Sequence, residues 1–131
     1  MYQGSCLCGA VQYELRGEIG KAYYCHCLRC RKASGSAFAS NALVNKDDFV
    51  VTQGEDKLKS YVYGESGLER KFCGECGSPL VSQRASGRTV LRLGSLDTDL
   101  AQGPGAHIFV DSKASWDHIT DDLPCFADWP E

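Results

Sequence analysis

Short runs in which apolar and polar residues alternate dominate the pattern along this chain. In residues 10–15 (AVQYEL), Val11, Tyr13 and Leu15 alternate with Gln12 and Glu14. This period of two is typical of a strand that buries one of its faces. The alternation predicts that short strands, rather than long helices, make up most of the fold.

The same pattern recurs along the rest of the chain. Further strands are predicted at residues 57–63 (KLKSYVY), 69–73 (ERKFC) and 106–110 (AHIFV), and a hairpin is predicted from residues 78–83 (SPLVSQ) and 89–96 (TVLRLGSL). Residues 85–88 (ASGR) would form the turn of that hairpin. Helical signal is confined to residues 28–33 and to a short turn that begins at Asn45. The sequence therefore predicts a mainly β fold.

Length and charge narrow the class of protein. The 131 residues predict a single domain over residues 1–131. Asp and Glu number 17 and Lys and Arg 14, a formal net charge of -3, which argues against nucleic acid as a partner. No apolar stretch approaches the ~18 residues of a membrane-spanning helix, and the first residues do not resemble a signal peptide. We therefore expect a cytoplasmic protein with no membrane partner, and the sequence is compatible with a homodimer.

Eight cysteines are the strongest chemical signal in the chain. Seven of them fall into three clusters, which are Cys6 and Cys8, then Cys25, Cys27 and Cys30, then Cys73 and Cys76. Without an export signal, such clustering favours metal thiolates over disulfides. A glycine follows Cys76, and it can adopt the positive φ that lets a CxxC turn close around a metal. We expect zinc, held at four-cysteine or three-cysteine sites.

The spacing alone leaves the pairing of the clusters open. In one arrangement Cys27 and Cys30 join Cys73 and Cys76 in a zinc ribbon, and the first pair is spare. In the other, the pair at residues 6 and 8 joins Cys73 and Cys76, and the three cysteines at residues 25–30 form a second site. The second arrangement uses all seven residues and would link the start of the chain to a late hairpin.

Five segments together resemble the glutathione-dependent formaldehyde-activating enzyme family. They are the CxCG start, CHCxxCRKASGSAF at residues 25–38, FCGxCGSPL at residues 72–80, HIFVDSKASW at residues 107–116 and DDLPCF at residues 121–126. The resemblance implies a β-tent fold of several short, coiled antiparallel sheets stabilised by zinc. It also implies a structural zinc on Cys6, Cys8, Cys73 and Cys76. A second zinc, regarded as catalytic, would lie on Cys25, Cys27 and Cys30.

The resemblance implies a carbon–sulfur lyase activity in which glutathione adds to formaldehyde and gives S-hydroxymethylglutathione. Three thiolates outweigh the charge of zinc and make it a weak Lewis acid, so a thiol suits the open position better than water. The expected partners are a small thiol, with glutathione as co-substrate, and an aldehyde or related small electrophile. The alternative is a non-catalytic, zinc-stabilised binding module or a carrier of glutathione or formaldehyde.

Basic residues beside the last cysteine of the second cluster could contact an anionic thiol. Arg29, Arg31 and Lys32 flank Cys30, and they either bind glutathione or solvate a surface turn.

Other residues carry weaker expectations. His26 should not be a metal ligand, because it lies between two ligands. His107 is expected to be structural, with proton transfer as an alternative role. Cys125 is expected to be a small buried residue. By resemblance, Lys113 and Trp116 could line a substrate pocket.

Overall fold

Ten strands and one α-helix form the part of the chain that the computed structural model describes, residues 1–130. The strands are β1 (Tyr2–Ser5), β2 (Gln12–Leu15), β3 (Ala22–Cys25), β4 (Ala39–Val44), β5 (Phe49–Gln53), β6 (Leu58–Tyr63), β7 (Leu68–Cys73), β8 (Pro79–Gln83), β9 (Thr89–Arg92) and β10 (Ala106–Ile108). The helix α1 is Leu28–Ser34, and 3₁₀ turns lie at Lys46–Asp48, Glu55–Lys57, Gly64–Ser66, Leu93–Ser95 and Val110–Ser112. The predicted mainly β class is confirmed.

The strands form two sheets. A three-stranded sheet has the order β1-β2-β5, and a seven-stranded sheet has the order β10-β3-β4-β9-β8-β7-β6. All neighbouring strands are antiparallel except β10, which runs parallel to β3. The predicted hairpin is present, since β8 pairs with β9 through Val81–Leu91, Ser82–Val90 and Gln83–Thr89.

The alternation in β2 decides which face of the small sheet is buried. Tyr13 and Leu15 are almost fully buried, whereas Gln12 is exposed. The Tyr13 hydroxyl lies 2.6 Å from the Ser95 hydroxyl, so its polar end has a hydrogen-bond partner inside the core. Burial raises the pKa of Tyr13 to about 12.

The three cysteine clusters divide between two parts of the hydrophobic core. Cys6 and Cys73 pack with the buried face of β2, and Cys25 and Cys30 pack with β10 and Tyr23. Four of the seven clustered cysteines are therefore buried in the core, namely Cys6, Cys25, Cys30 and Cys73.

The end of β10 differs from the prediction. A strand was expected over residues 106–110, but β10 stops at Ile108 because Phe109 adopts φ 56°, in the left-handed region. A bulky residue in that conformation cannot continue a strand, and the chain turns into the 3₁₀ segment that follows.

Among residues 1–130, no helix is both long and apolar enough to span a membrane.

Candidate metal centres and an adjoining cavity

The loop after β1 and the turn after β7 bring four cysteine sulfurs together. The Sγ atoms of Cys6, Cys8, Cys73 and Cys76 all lie within 4.8 Å of one another. Cys6 Sγ is 3.6 Å from Cys8 Sγ, and Cys8 Sγ is 3.8 Å from Cys73 Sγ. With Zn–S bonds of about 2.3 Å, neighbouring sulfurs of a tetrahedral site lie about 3.8 Å apart. These sulfurs therefore fit a four-thiolate zinc site.

Each cysteine turn is closed by the amide of a glycine, across three residues in the first turn and four in the second. The Gly9 amide donates to the Cys6 carbonyl at 3.1 Å, and the Gly77 amide donates to the Cys73 carbonyl at 2.7 Å. The two glycines have φ 81° and φ 82°, a conformation that is costly for any residue with a Cβ. Each glycine therefore closes a turn that points its cysteine sulfurs toward the other turn.

Nearby hydrogen-bond donors favour the thiolate form of Cys6 and Cys76, whereas at Cys8 a hydrogen bond from Ala10 is outweighed by desolvation and the neighbouring sulfurs, which raise the pKa of Cys8 to about 12. The Val11 amide donates to Cys6 Sγ and the Glu75 amide to Cys73 Sγ, both at 3.3 Å. The Ser78 hydroxyl lies 3.2 Å from Cys76 Sγ and lowers the pKa of that thiol to about 5. Such donors stabilise the negative form that a metal needs.

The second cluster lies where β3 enters α1. Cys25 ends the strand, Cys27 is the N-cap of the helix and Cys30 lies in its first turn, and their three Sγ atoms lie within 4.8 Å of one another. The Cys30 amide donates to Cys27 Sγ at 3.3 Å, so a sulfur replaces the usual oxygen cap.

The three sulfurs lie close enough to shift one another's pKa values in opposite directions. Hydrogen bonds from Cys25 and Cys30 lower the pKa of Cys27 far below its ordinary value, and hydrogen bonding to Cys27 raises the pKa of Cys25. The three thiols thus favour one thiolate and resist a second, because like charges at this distance repel. A bound divalent cation would remove that conflict, so the donor set fits a three-thiolate zinc site with one open position.

A buried arginine lies behind the second cluster. Arg92, at the end of β9, is 8% exposed and donates to Asn41 Oδ1, while its Nη2 lies 3.4 Å from Ser82 Oγ. Asn41 Nδ2 in turn donates to Cys30 Sγ at 3.7 Å. Burial lowers the pKa of Arg92, and the Cys30 sulfur opposes that shift. Arg92 therefore orients the Asn41 amide that donates to Cys30, and its positive charge favours a thiolate at Cys30.

A cavity of about 530 Å³ opens beside the three sulfurs, and we call it the sulfur cavity. It is lined by Cys25, Cys27 and Cys30, by the aromatic residues Tyr63, Phe109 and Trp129, and by the arginines Arg29, Arg70, Arg84, Arg88 and Arg92, among others. Its size lies within the usual range of ligand pockets, about 300–1,000 Å³. Three potential ligands of a metal therefore border a space that a small molecule could occupy.

A second cavity of about 510 Å³ adjoins the first, because both share Leu28, Arg29, Tyr63, Arg70 and Arg92. We call it the tyrosine cavity, since Tyr61, Tyr63 and Phe72 line it together with Lys32 and Lys71.

Two of the basic residues predicted beside Cys30 lie at these cavities. Arg29 lines both, with its guanidinium carbon 4.3 Å from the centre of the Tyr63 ring, and Lys32 lines the tyrosine cavity. Arg31 is directed elsewhere and donates to the Ser112 carbonyl at 3.0 Å. The arginines at positions 70, 84, 88 and 92 were not identified from the sequence, because they come from two strands and a turn far along the chain and no local motif marks them.

The histidine between the ligands faces away from the sulfur cavity. His26 is fully buried, with Nε2 2.8 Å from His107 Nδ1, and His107 Nε2 lies 2.9 Å from Asp121 Oδ2. His26 Nδ1 is buried without a hydrogen-bond partner, 3.9 Å from Asp117 Oδ2. Neither histidine lines the sulfur cavity. This chain of contacts ties the C-terminal segment to the backbone that carries the three cysteines.

Three further residues do not lie where the sequence analysis expected them. Cys125 is exposed rather than buried. Lys113 donates to the carbonyls of Ala114 and Asp117, and Trp116 is 65% exposed. Neither Lys113 nor Trp116 lines the two cavities.

Curated relatives and a solved structure resemble this chain over part or most of its length. A Fusarium vanettenii protein, whose name assigns it to the glutathione-dependent formaldehyde-activating enzymes, is 28% identical over 101 residues, which cover 76% of this chain and 53% of the relative. An uncharacterised lyase of Schizosaccharomyces pombe is 31% identical over 87 residues, covering 66% of this chain and 61% of the relative. The chain thus spans about half the length of these curated relatives.

A crystal structure of a Rhodobacter sphaeroides protein is similar to this fold, with a TM-score of 0.63 and 27% identity, and the match covers 78% of this chain and 97% of that protein.

A family model also matches most of the chain. It describes the glutathione-dependent formaldehyde-activating enzymes and matches residues 1–112. That range contains both cysteine clusters and all five arginines of the sulfur cavity. The chain therefore belongs to the glutathione-dependent formaldehyde-activating enzyme family.

Proposed function

We propose that this protein, acting as one domain, catalyses the addition of a thiol to formaldehyde or a related small electrophile. Glutathione is the thiol that the family name suggests, and the product would then be S-hydroxymethylglutathione. The reverse reaction breaks a carbon–sulfur bond, as expected of a lyase. The observation that carries the proposal is the sulfur cavity, where three cysteine sulfurs suited to zinc border a space of about 530 Å³.

The two cysteine clusters would have different roles. Cys6, Cys8, Cys73 and Cys76 would hold a structural zinc, because their four sulfurs supply a complete tetrahedron. Cys25, Cys27 and Cys30 would hold the catalytic zinc and leave one position facing the cavity. Zinc bound to these three residues would favour the thiolate form of a thiol placed at the open position. We expect the protein to be cytoplasmic, since cysteines that bind metal rather than form disulfides suit a reducing compartment.

The residues of the cavity would bind and orient the substrates. The arginine side chains would hold the carboxylates of the thiol, for which their planar donor groups are well suited. Phe109 and Trp129 would exclude water from the sulfur. When the thiolate attacks the carbonyl carbon, a carbon–sulfur bond forms and the oxygen gains negative charge. The guanidinium groups would stabilise that charge until solvent at the cavity mouth supplies a proton.

We attribute the proton-transfer step to solvent rather than to His107, because His107 is not among the residues that line the cavity. His107 and His26 would instead position the backbone of the ligand segment through their mutual hydrogen bond. Arg92 would have a positioning role through Asn41 and Cys30.

The test is a calorimetric titration of reduced, zinc-loaded protein with glutathione, with S-methylglutathione as the control. Saturable binding of glutathione alone, followed by faster adduct formation with formaldehyde, is the expected result. Binding without acceleration would favour a carrier, and no binding would favour a zinc-stabilised binding module. A Cys27→Ser variant should lose binding, whereas the matched Cys125→Ser variant should keep it, because Cys125 is exposed and outside both clusters.

A further inference from the structure

The positive lining of the two cavities exceeds what glutathione requires. We propose that the site selects a thiol whose other charged groups are all anionic, with at least two carboxylate or phosphate groups and no ammonium group. This inference rests on the proposed function, because it names the class of thiol that the same site would accept.

The first argument is the segregation of charge. The sulfur and tyrosine cavities together are lined by Arg29, Lys32, Arg70, Lys71, Arg84, Arg88 and Arg92. These seven residues are half of the 14 lysines and arginines in a chain whose net charge is -3. Among residues 1–130, no Asp or Glu lines either cavity. The positive charge is therefore concentrated at the cavities although the protein as a whole is acidic.

The second argument is that none of these cations forms an ion pair with an Asp or Glu of residues 1–130. Among residues 1–130, the ion pairs are Arg16–Glu14, His26–Asp117, Lys57–Glu75 and His107–Asp121. None of the seven cavity cations takes part in them. Arg92 offsets charge on the cysteine sulfurs. The other six cations repel one another, and an anionic ligand relieves that repulsion.

The third argument is that several of the guanidinium groups are held in place. Arg29 lies over the Tyr63 ring, and Arg88 lies over the Trp129 ring at 4.2 Å. A guanidinium stacked by its face keeps its N–H donors free at the edge, where a carboxylate or phosphate can bind in a bidentate manner. Arg92 is fixed by hydrogen bonds to Asn41 and Ser82. The charges are thus ordered before a ligand arrives, which lowers the cost of binding.

Glutathione matches this lining poorly in one respect. Its two carboxylates suit the arginines, but its γ-glutamyl ammonium group would lie among cations and meet no carboxylate in the cavity lining. An analogue without that ammonium group keeps the sulfur and both carboxylates while removing the repulsion. The preferred thiol should therefore carry anionic groups and no positively charged group.

The test compares glutathione with N-acetylglutathione, which differs by loss of the ammonium charge, and each of these with its S-methyl form. We expect N-acetylglutathione to bind zinc-loaded protein at least about tenfold more tightly, since several like-charge contacts disappear. Its affinity should also fall more steeply with added salt.

Two variants connect the preference to the cavity. Arg88→Gln changes an exposed residue at the cavity and should remove most of the preference for N-acetylglutathione. Arg16→Gln changes an exposed arginine paired with Glu14, and it should leave the preference intact.

The outcomes separate this inference from the proposed function. If S-methylation does not weaken the binding of either ligand, the proposal of a thiol-accepting metal site is wrong. A higher affinity for the acetylated ligand of each pair would then still support a preference for anionic ligands. If glutathione binds as tightly as N-acetylglutathione in both pairs, or if N-acetylglutathione does not bind, the inference is overturned. Equal loss of preference in Arg88→Gln and Arg16→Gln would also overturn it.

Discussion

Replacing Gly77 with alanine tests whether a left-handed backbone residue closes the four-cysteine site. Gly77 follows Cys76 and has φ 82°, and its amide donates to the Cys73 carbonyl. A Cβ added at this position would meet no heavy atom within 4 Å. The substitution therefore introduces backbone strain without a steric clash.

The magnitude follows from the conformation alone. A non-glycine residue in the left-handed region costs roughly 1–2 kcal/mol. Because alanine also restricts the unfolded chain, it returns about 0.4–1 kcal/mol of that cost. We expect the free energy of unfolding to fall by about 1 kcal/mol, which corresponds to roughly a fivefold change in the folding equilibrium.

The assay compares denaturation midpoints of zinc-loaded proteins, together with zinc release to a competing chelator. Gly94→Ala is the matched control, because a Cβ there also meets nothing within 4 Å and Gly94 is not among the glycines with positive φ. Gly77→Ala should release one zinc about fivefold more readily than the control, in line with the strain energy. Equal behaviour of the two variants would refute the role assigned to this turn.

Three further predictions concern other parts of the molecule. Arg92→Met should weaken metal binding at the three-cysteine cluster by about 10–100-fold, as the loss of groups that orient ligands commonly does, and chelator competition that shows no weaker site would contradict this. Burial raises the pKa of Tyr13 from 10.0 to about 12, so the contribution of the neutral phenol to stability is complete below pH 10 and is lost as the pH rises toward 12. This residue should therefore lower the free energy of unfolding by about 3 kcal/mol at most over that range. Denaturation midpoints measured from pH 9 to 12 should lack this part of the decrease in Tyr13→Phe. Cys125→Ser should keep the metal content of the parent protein by elemental analysis, because Cys125 is exposed and outside both clusters; loss of an ion would show that it is a ligand.

The parts of the fold that the sequence predicted depend on local patterns. The strand β2 alternates buried and exposed residues, so its side-chain period shows in the sequence. The turn between β8 and β9 lies between two apolar runs that pair directly. The helix α1 begins at a cysteine that caps it and ends before Gly35, and both signals lie within the segment.

The cysteine sites show what the spacing of residues in the sequence can predict and what it cannot. Spacing within each cluster predicted metal ligands, but it left two ways to pair the clusters. The structure brings Cys73 and Cys76 to the first pair and leaves the three cysteines at residues 25–30 together. That choice depends on contacts between residues more than 60 positions apart, which local spacing does not contain.

The features that the sequence did not reveal depend on tertiary structure. The arginines of the sulfur cavity come from α1, β7, the turn after β8 and the end of β9, so no short motif contains them. Phe109 ends β10 in a left-handed conformation that its residue type does not favour. The position of His26 beside His107 depends on the parallel pairing of β10 with β3.

The central claim is that the three-cysteine cluster holds a metal with one position open to a thiol. The most direct measurement loads the protein with cobalt(II), which reports thiolate ligands by absorption, and then adds glutathione or S-methylglutathione. Two cobalt ions per chain are expected, with seven cobalt–sulfur bonds from the seven clustered cysteines. Glutathione should raise the sulfur charge-transfer absorption by about one-seventh, because it supplies one more thiolate to a tetrahedral site, and S-methylglutathione should not change it. A single cobalt ion per chain, or an unchanged spectrum with saturating glutathione, would contradict the account.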